Sequence, residues 1–213
     1  MIALRHPIKA KIEDRYEFLA QLLHEYPCFL KKWEEAFVKN AETFAEETAG
    51  GDYDVKKGIL DSYLQTVDAT YYCKDMFYQS VLIMSYSYFE SSVEIIKSDL
   101  GGFREADKIK EIHKRKNLKL TNEVSQALDF MNVIRELRNA ICHNNGGTYK
   151  KTDLLKNLSE TWDGFYFENS DNACYKTLII SKPDIVLETL NKARFILLDL
   201  CEKLNFKTTF IKG

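Results

Sequence analysis

The amino-acid sequence predicts a mostly α-helical protein: a bundle with extra N-terminal helices and one small β-hairpin before the last helix. Three observations lead there. Apolar residues recur at spacings of three and four along most of the chain. Only three prolines and nine glycines occur in 213 residues, too few turn residues for a fold of many short strands. One late stretch breaks the helical period: Phe165-Tyr166-Phe167 and the run from Tyr175 to Ile180 are rich in aromatic and β-branched residues.

The elements follow in order. Ile12 to Glu25 places Tyr16, Leu19, Leu22 and Leu23 on one side of a first helix. Pro27 interrupts the pattern and suits the first turn of a second helix, Cys28 to Glu47, which Gly50-Gly51 stops. Residues 54 to 69 read as a weaker helix. Met76 to Leu100 is the strongest, with Tyr78, Leu82, Ser85, Tyr86, Phe89, Val93, Ile96 and Leu100 in one stripe. Gly101-Gly102 ends it. A short basic helix is expected next, then a helix from Glu123 to His143 capped by Thr121 or Asn122. Its stripe is Val124, Ala127, Leu128, Met131, Ile134, Leu137 and Ile141. Asn144-Asn145-Gly146-Gly147 reads as a turn, and Asn169 to Asn172 as the hairpin's turn. Pro183 opens the last helix, Asp184 to Leu204. No repeat or linker divides the chain, so residues 1–213 read as one domain. Its parts are an N-terminal helical extension (1–69), core helices (70–147), and a loop, hairpin and last helix (148–213).

Composition narrows the function. No apolar run approaches the roughly 18 residues of a membrane helix, and the first residues lack the apolar core of a signal peptide. No membrane association and a cytoplasmic location are expected. Five scattered cysteines form no CxxC pair, and the four histidines show no HxxxH spacing. Neither a disulfide framework nor a metal site is expected, and no cofactor. The formal charge of −2 conceals two opposed segments. Residues 34–54 hold seven carboxylates against Lys39 alone. Residues 108–119 hold Lys108, Lys110, Lys114, Arg115, Lys116 and Lys119 against Glu111 alone. The plain reading is two solvated helix faces; the sharper one is that the basic segment tracks a phosphate backbone.

The informative stretch runs from Val133 to Gly146. Arg138 lies seven residues after Met131, four after Ile134 and three before Ile141, so it projects within the apolar stripe. A guanidinium there demands a carboxylate, a carbonyl, a partner subunit or an anionic ligand. Asn139 and His143 are four apart and share the flank of that stripe. His143 closes the helix. Cys142 precedes it directly, so the two side chains point apart and a Cys–His dyad is not expected.

This element, Arg138-Asn139-x3-His143, resembles the Arg-polar-x3-His signature of the HEPN superfamily. The flanking Glu136-Leu137 and Ala140-Ile141-Cys142, and the upstream Tyr88-Phe89-Glu90, are similar to the same family's toxin–antitoxin and phage-defence members. The resemblance covers about residues 70–147, together with the last helix. It implies a homodimer with a composite active site that cleaves RNA without a metal. In that reading Arg138 binds the scissile phosphate, and His143 is the general base or acid for attack by the 2′-hydroxyl. Asn139 orients one or the other. Lys114, Arg115, Lys116, Lys119 and Asn144 would contact RNA, and Glu90 would neutralise Arg138 at rest. An antitoxin or regulatory protein is a further expected partner. One toxin branch carries a tyrosine two residues after the histidine. This chain has Asn145 there, so modification of that position by a nucleotidyltransferase is not carried over.

Two other readings stay open on the residues alone. One is a non-catalytic module that binds RNA, nucleotide or protein in the same cleft. The other is a dimerising helical protein in which Arg138 is only ion-paired. The tyrosines Tyr71, Tyr72, Tyr78, Tyr86 and Tyr88 read as core or interface, and His113 as solvated.

Overall fold

The computed structural model describes residues 2–4, 6–102, 109–144, 160–169, 176–206 and 209–211. They form β1 (Ile2–Leu4), α1 (Pro7–Ala49), α2 (Tyr53–Leu100), α3 (Ile109–Arg115), α4 (Asn122–Asn144), β2 (Phe165–Asn169), β3 (Lys176–Ile180), α5 (Asp184–Lys203) and β4 (Thr209–Ile211). The protein is mostly helical, with a two-stranded antiparallel sheet before its last helix. The expected turns at 145–147 and 170–172, the side chains of Tyr71 and Tyr72, and Lys108 lie outside the described residues.

Two predicted breaks are absent. Pro27 lies inside α1, a single helix of 43 residues. A proline inside a helix removes one hydrogen bond and crowds the preceding turn. Packing on both sides of it compensates. Leu19, Leu23 and Leu30 are buried across the site, and Tyr26 stacks on Phe77 with ring centroids 3.9 Å apart. Likewise the weak segment 54–69 and the strong helix from Met76 are one 48-residue helix. No glycine or proline separates them after Gly58, so nothing stops propagation. Glycine does stop both long helices. Gly50 caps α1 in the left-handed conformation (φ 55°), and the Gly101 N–H bonds to the Lys97 carbonyl. Asp52 caps α2 through the N–H groups of Asp54 and Val55.

The core is built where α4 and α5 pack on α2. Leu82, Ile96, Met131, Ile134, Leu137, Leu190 and Ile196 are fully buried there. All seven predicted stripe residues of α4 are buried, as are Ile185, Leu190, Ala193, Ile196, Leu197 and Leu200 of α5. The hairpin pairs Phe165 with Ile180 and Asn169 with Lys176. It is pinned to α2 twice: Asp75 Oδ1 accepts the Ile180 N–H at 2.7 Å, and Gln79 Nε2 donates to the Leu178 carbonyl at 3.0 Å. A second small sheet was not foreseen. It pairs β1 with β4, bringing Ile2 opposite Ile211, and His6 stacks on Phe206 beside it at 4.5 Å.

The helices α1 and α2 form an antiparallel hairpin of one register. Arg15 reaches Ser91, Tyr26 meets Phe77, Lys74 pairs with Glu34, Tyr63 meets Phe37 and Phe44, and Lys56 pairs with Glu46. The continuous core takes in α1 only as far as Leu23 and α2 only from Tyr78. Beyond those residues the hairpin continues as an arm about 35 Å long, at 1.5 Å per residue. Leu30, Ala41 and Ala45 are buried within it and do not join the core.

Candidate active site

Thr121 starts α4, its Oγ1 accepting the Val124 N–H at 3.3 Å. The helix then carries its apolar stripe against α2 and α5. Arg138 stands near its C-terminal end, where the stripe meets the surface, and its side chain is 26% exposed. Two α2 residues one turn apart receive it. Its Nη2 donates to Glu90 Oε2 at 2.6 Å, and its guanidinium carbon lies 5.3 Å from the centre of the Tyr86 ring. Its Nη1 donates to Asn139 Oδ1 at 3.1 Å. Its Nε is buried with no hydrogen-bond partner among the described residues. So a carboxylate, an amide and an aromatic face hold the guanidinium, and two of its five N–H groups are engaged among the described residues.

Tyr86 is 5% exposed. Burial, and then the Glu90 carboxylate, push its phenol up to about 12, against the opposing pull of Arg135 and Arg138. It is therefore a neutral hydroxyl at physiological pH. Arg135 donates to Glu136 at 3.2 Å close by, so the end of α4 mixes both charge signs.

His143 lies five residues past Arg138, about 140° further round the helix. It is exposed and has no hydrogen-bond or ion-pair partner among the described residues. Asn139 shares its side of the helix, yet Asn139 is engaged with Arg138. The side chain of Asn144 lies outside the described residues. Cys142 is a free, exposed thiol.

The basic segment is elsewhere. Lys114 and Arg115 end α3, and Lys116 and Lys119 follow it, before the N-terminal end of α4, which is about 30 Å along that helix from His143. Lys110 pairs with Asp129 at 3.4 Å, and Arg115 with Glu111 at 2.9 Å and the Gly102 carbonyl at 3.2 Å. His113 is not solvated as expected but 3% exposed. It bonds the Ile109 carbonyl at 3.0 Å and lies 3.9 Å from Asp199. The helical period places it with Ile109 and Ile112, on the inward side of α3.

Arg138, Asn139 and Glu90 are thus brought together. His143 makes no contact with them among the described residues and lies about 140° round α4 from Arg138, and the lysines stand apart. Sequence reasoning missed Tyr86 as the platform under Arg138. Its spacing of four from Glu90 was the available signal. Among the described residues no group of three or more His, Cys, Asp or Glu side chains is placed to hold a metal ion, and no helix is long and apolar enough to cross a membrane. No protein-family model matches the chain, and no curated protein or solved structure is significantly similar to it.

Proposed function

We propose that the chain is a HEPN-type, metal-independent endoribonuclease acting as a homodimer. The observation that carries this reading is the state of Arg138. It is a guanidinium drawn from an apolar stripe to the surface, 26% exposed and held in place by Glu90, Asn139 and Tyr86. Such a group is preorganised to receive a phosphate oxygen. Asn139 and Glu90 act as positioning residues for it.

In one chain Arg138 and His143 point to different sides of α4, so a second chain completes the site. One His143 accepts the proton of the RNA 2′-hydroxyl as its oxygen attacks phosphorus. The bond from phosphorus to the 5′-oxygen breaks, and the partner's His143 returns a proton to that oxygen. The products are a 2′,3′-cyclic phosphate and a 5′-hydroxyl. DNA lacks the nucleophile and is not cut. Lys114, Arg115, Lys116 and Lys119 serve outlying phosphates of a bound strand, not the scissile one. A role as toxin or defence effector, with an antitoxin or regulatory partner, follows from the family resemblance alone.

The test uses end-labelled tRNA and mRNA in EDTA. Wild type yields cyclic-phosphate ends, while Arg138→Ala and His143→Ala each lose about hundredfold or more in rate. Undiminished cleavage by His143→Ala overturns the assignment. One observation favours the alternative of a binding module: Glu90 already occupies the guanidinium at 2.6 Å. RNA retention without cleavage, lost in Arg138→Ala, selects that alternative.

A further inference from the structure

A second arginine is placed like Arg138 but lacks its partners. Arg194 lies four residues after Leu190, three before Leu197 and seven before Cys201. All three are fully buried, so α5 carries Arg194 on its apolar side. Its guanidinium carbon lies 4.7 Å from the centre of the Tyr16 ring on α1. Tyr16 is itself held, its hydroxyl donating to Asn191 at 2.8 Å. The Arg194 side chain is half-buried and its Nε is buried. Arg138 engages two N–H groups; none of the five on Arg194 meets an acceptor among the described residues. No carboxylate among them pairs with it.

A second unsatisfied group stands beside it. Tyr88 of α2 is 5% exposed, and its hydroxyl is buried with no hydrogen-bond partner among the described residues. Burial pushes that phenol up; the strongest opposing pull is the Arg194 charge, and Arg15 adds to it. Arg15 approaches from α1, its Nη1 donating to Ser91 Oγ at 3.0 Å, and it too has no ion pair among the described residues. Arg15 and Tyr88 line one open groove of about 510 Å³ with Phe18, Leu19 and Met84. Asp14 also lines it and pairs with neither arginine.

We infer that Arg194, the Tyr88 hydroxyl and Arg15 form a binding site for a phosphate dianion at the junction of α1, α2 and α5. A half-buried guanidinium without a counter-charge is unfavourable, and so is a buried hydroxyl without a partner. One tetrahedral oxyanion accepts hydrogen bonds from both and supplies the charge. A water molecule supplies only the hydrogen bonds. Two guanidinium groups match a doubly charged ion better than a carboxylate, which carries a single charge. The groove leaves room for the organic part of a phosphomonoester against Phe18 and Met84. The site is not the one proposed for RNA cleavage. On α2, Tyr88 is turned about 160° from both Tyr86 and Glu90, so Arg138 and Arg194 stand on opposite sides of that helix.

The test is calorimetric titration of the full chain with inorganic phosphate at constant ionic strength. Arg138→Ala is the background, because it removes phosphate binding at the other arginine. The expected result is one saturable phosphate per chain. Adding Arg194→Met weakens it by about tenfold or more, and Tyr88→Phe by about three- to tenfold. Thermal unfolding separates binding from a purely structural role. Without phosphate, Arg194→Met and Tyr88→Phe melt no lower than their parent, because each removes an unsatisfied group. At ten times its dissociation constant, phosphate raises the parent's midpoint by about 3–6 °C and leaves that of Arg194→Met in place. Glycerol 3-phosphate is run alongside: tighter binding than inorganic phosphate assigns the site to a phosphomonoester, weaker binding to the free ion. Three results overturn the inference: no saturable binding in the Arg138→Ala background, binding unmoved by Arg194→Met, or a lower midpoint for Arg194→Met without phosphate. None of them touches RNA cleavage by wild type, so the two readings fail separately.

Discussion

The body and the arm are made from the same two helices and stabilised in different ways. In the body, α2 is covered by α1, α4, α5 and β3, and its residues from Tyr78 to Ile96 feed one continuous core. Among the described residues, the same helices in the arm have only each other. Their contact is largely aromatic and ionic: Phe37 and Phe44 against Tyr63, and Glu34 with Lys74 at 2.9 Å. A helix needs tertiary burial more than intrinsic propensity. The body has that burial, and the arm leaves large apolar side chains exposed. What differs along α1 and α2 is therefore the neighbour and not the helix.

The largest expected effect tests the body. Leu190 is fully buried among α2, α4 and α5 residues. Leu190→Ala costs about 2–5 kcal/mol, the transfer term plus the cavity. The matched change in the arm, Phe29→Ala at a side chain 61% exposed, moves stability within about 0.5 kcal/mol. Urea unfolding at high salt compares the two. Equal losses would erase the distinction. Next is the joint between hairpin and core. Gly164 has φ 78°, and a Cβ there meets Lys182 Cβ at 2.6 Å. Gly164→Ala costs about 1–3 kcal/mol, from strain and displacement of a chain segment. Asp75 marks the border of arm and body. Asp75→Ala leaves the Ile180 N–H without its acceptor and costs about 1–2 kcal/mol. Faster amide exchange confined to Ile180 and its neighbours is the reading, while Leu190 keeps its protection.

The body was legible in the sequence because periodicity reports burial directly. Every stripe residue predicted for α4 is inside. The arm was misread for the converse reason. Pro27 is a valid local stop signal, and the Tyr26–Phe77 stack that overrides it spans 51 residues of sequence. In the candidate site, the place of Arg138 in an apolar stripe announced that a partner must exist. Glu90 was found through its motif. Tyr86 was not assigned to Arg138, since a stripe on α2 does not say which α4 residue faces it. His113 was hidden by its lysine-rich neighbours, although Ile109 and Ile112 share its side of α3. The β1–β4 pair has three residues per strand and lies at the two ends of the chain, so no local pattern predicts it.

The smallest effect at neutral pH belongs to Tyr86, and it becomes visible only in alkali. Its hydroxyl titrates at about 12 in the fold against 10.0 for an ordinary tyrosine, through burial first and the Glu90 charge second. Between those values the unfolded chain releases a proton that the folded chain keeps. Its share of stability is therefore complete below pH 10 and is lost as pH rises toward 12. Burial raises Tyr78 and Tyr88 in the same direction, so Tyr86→Phe removes one share of the alkaline loss and not all of it. The expected outcome is a shallower fall in urea midpoint between pH 10 and 12 for the variant, with little change at pH 7. An unchanged slope would mean that the phenol opens to solvent before it ionises. The ring would then not be a fixed platform for Arg138, and the site would be as loosely held as the arm.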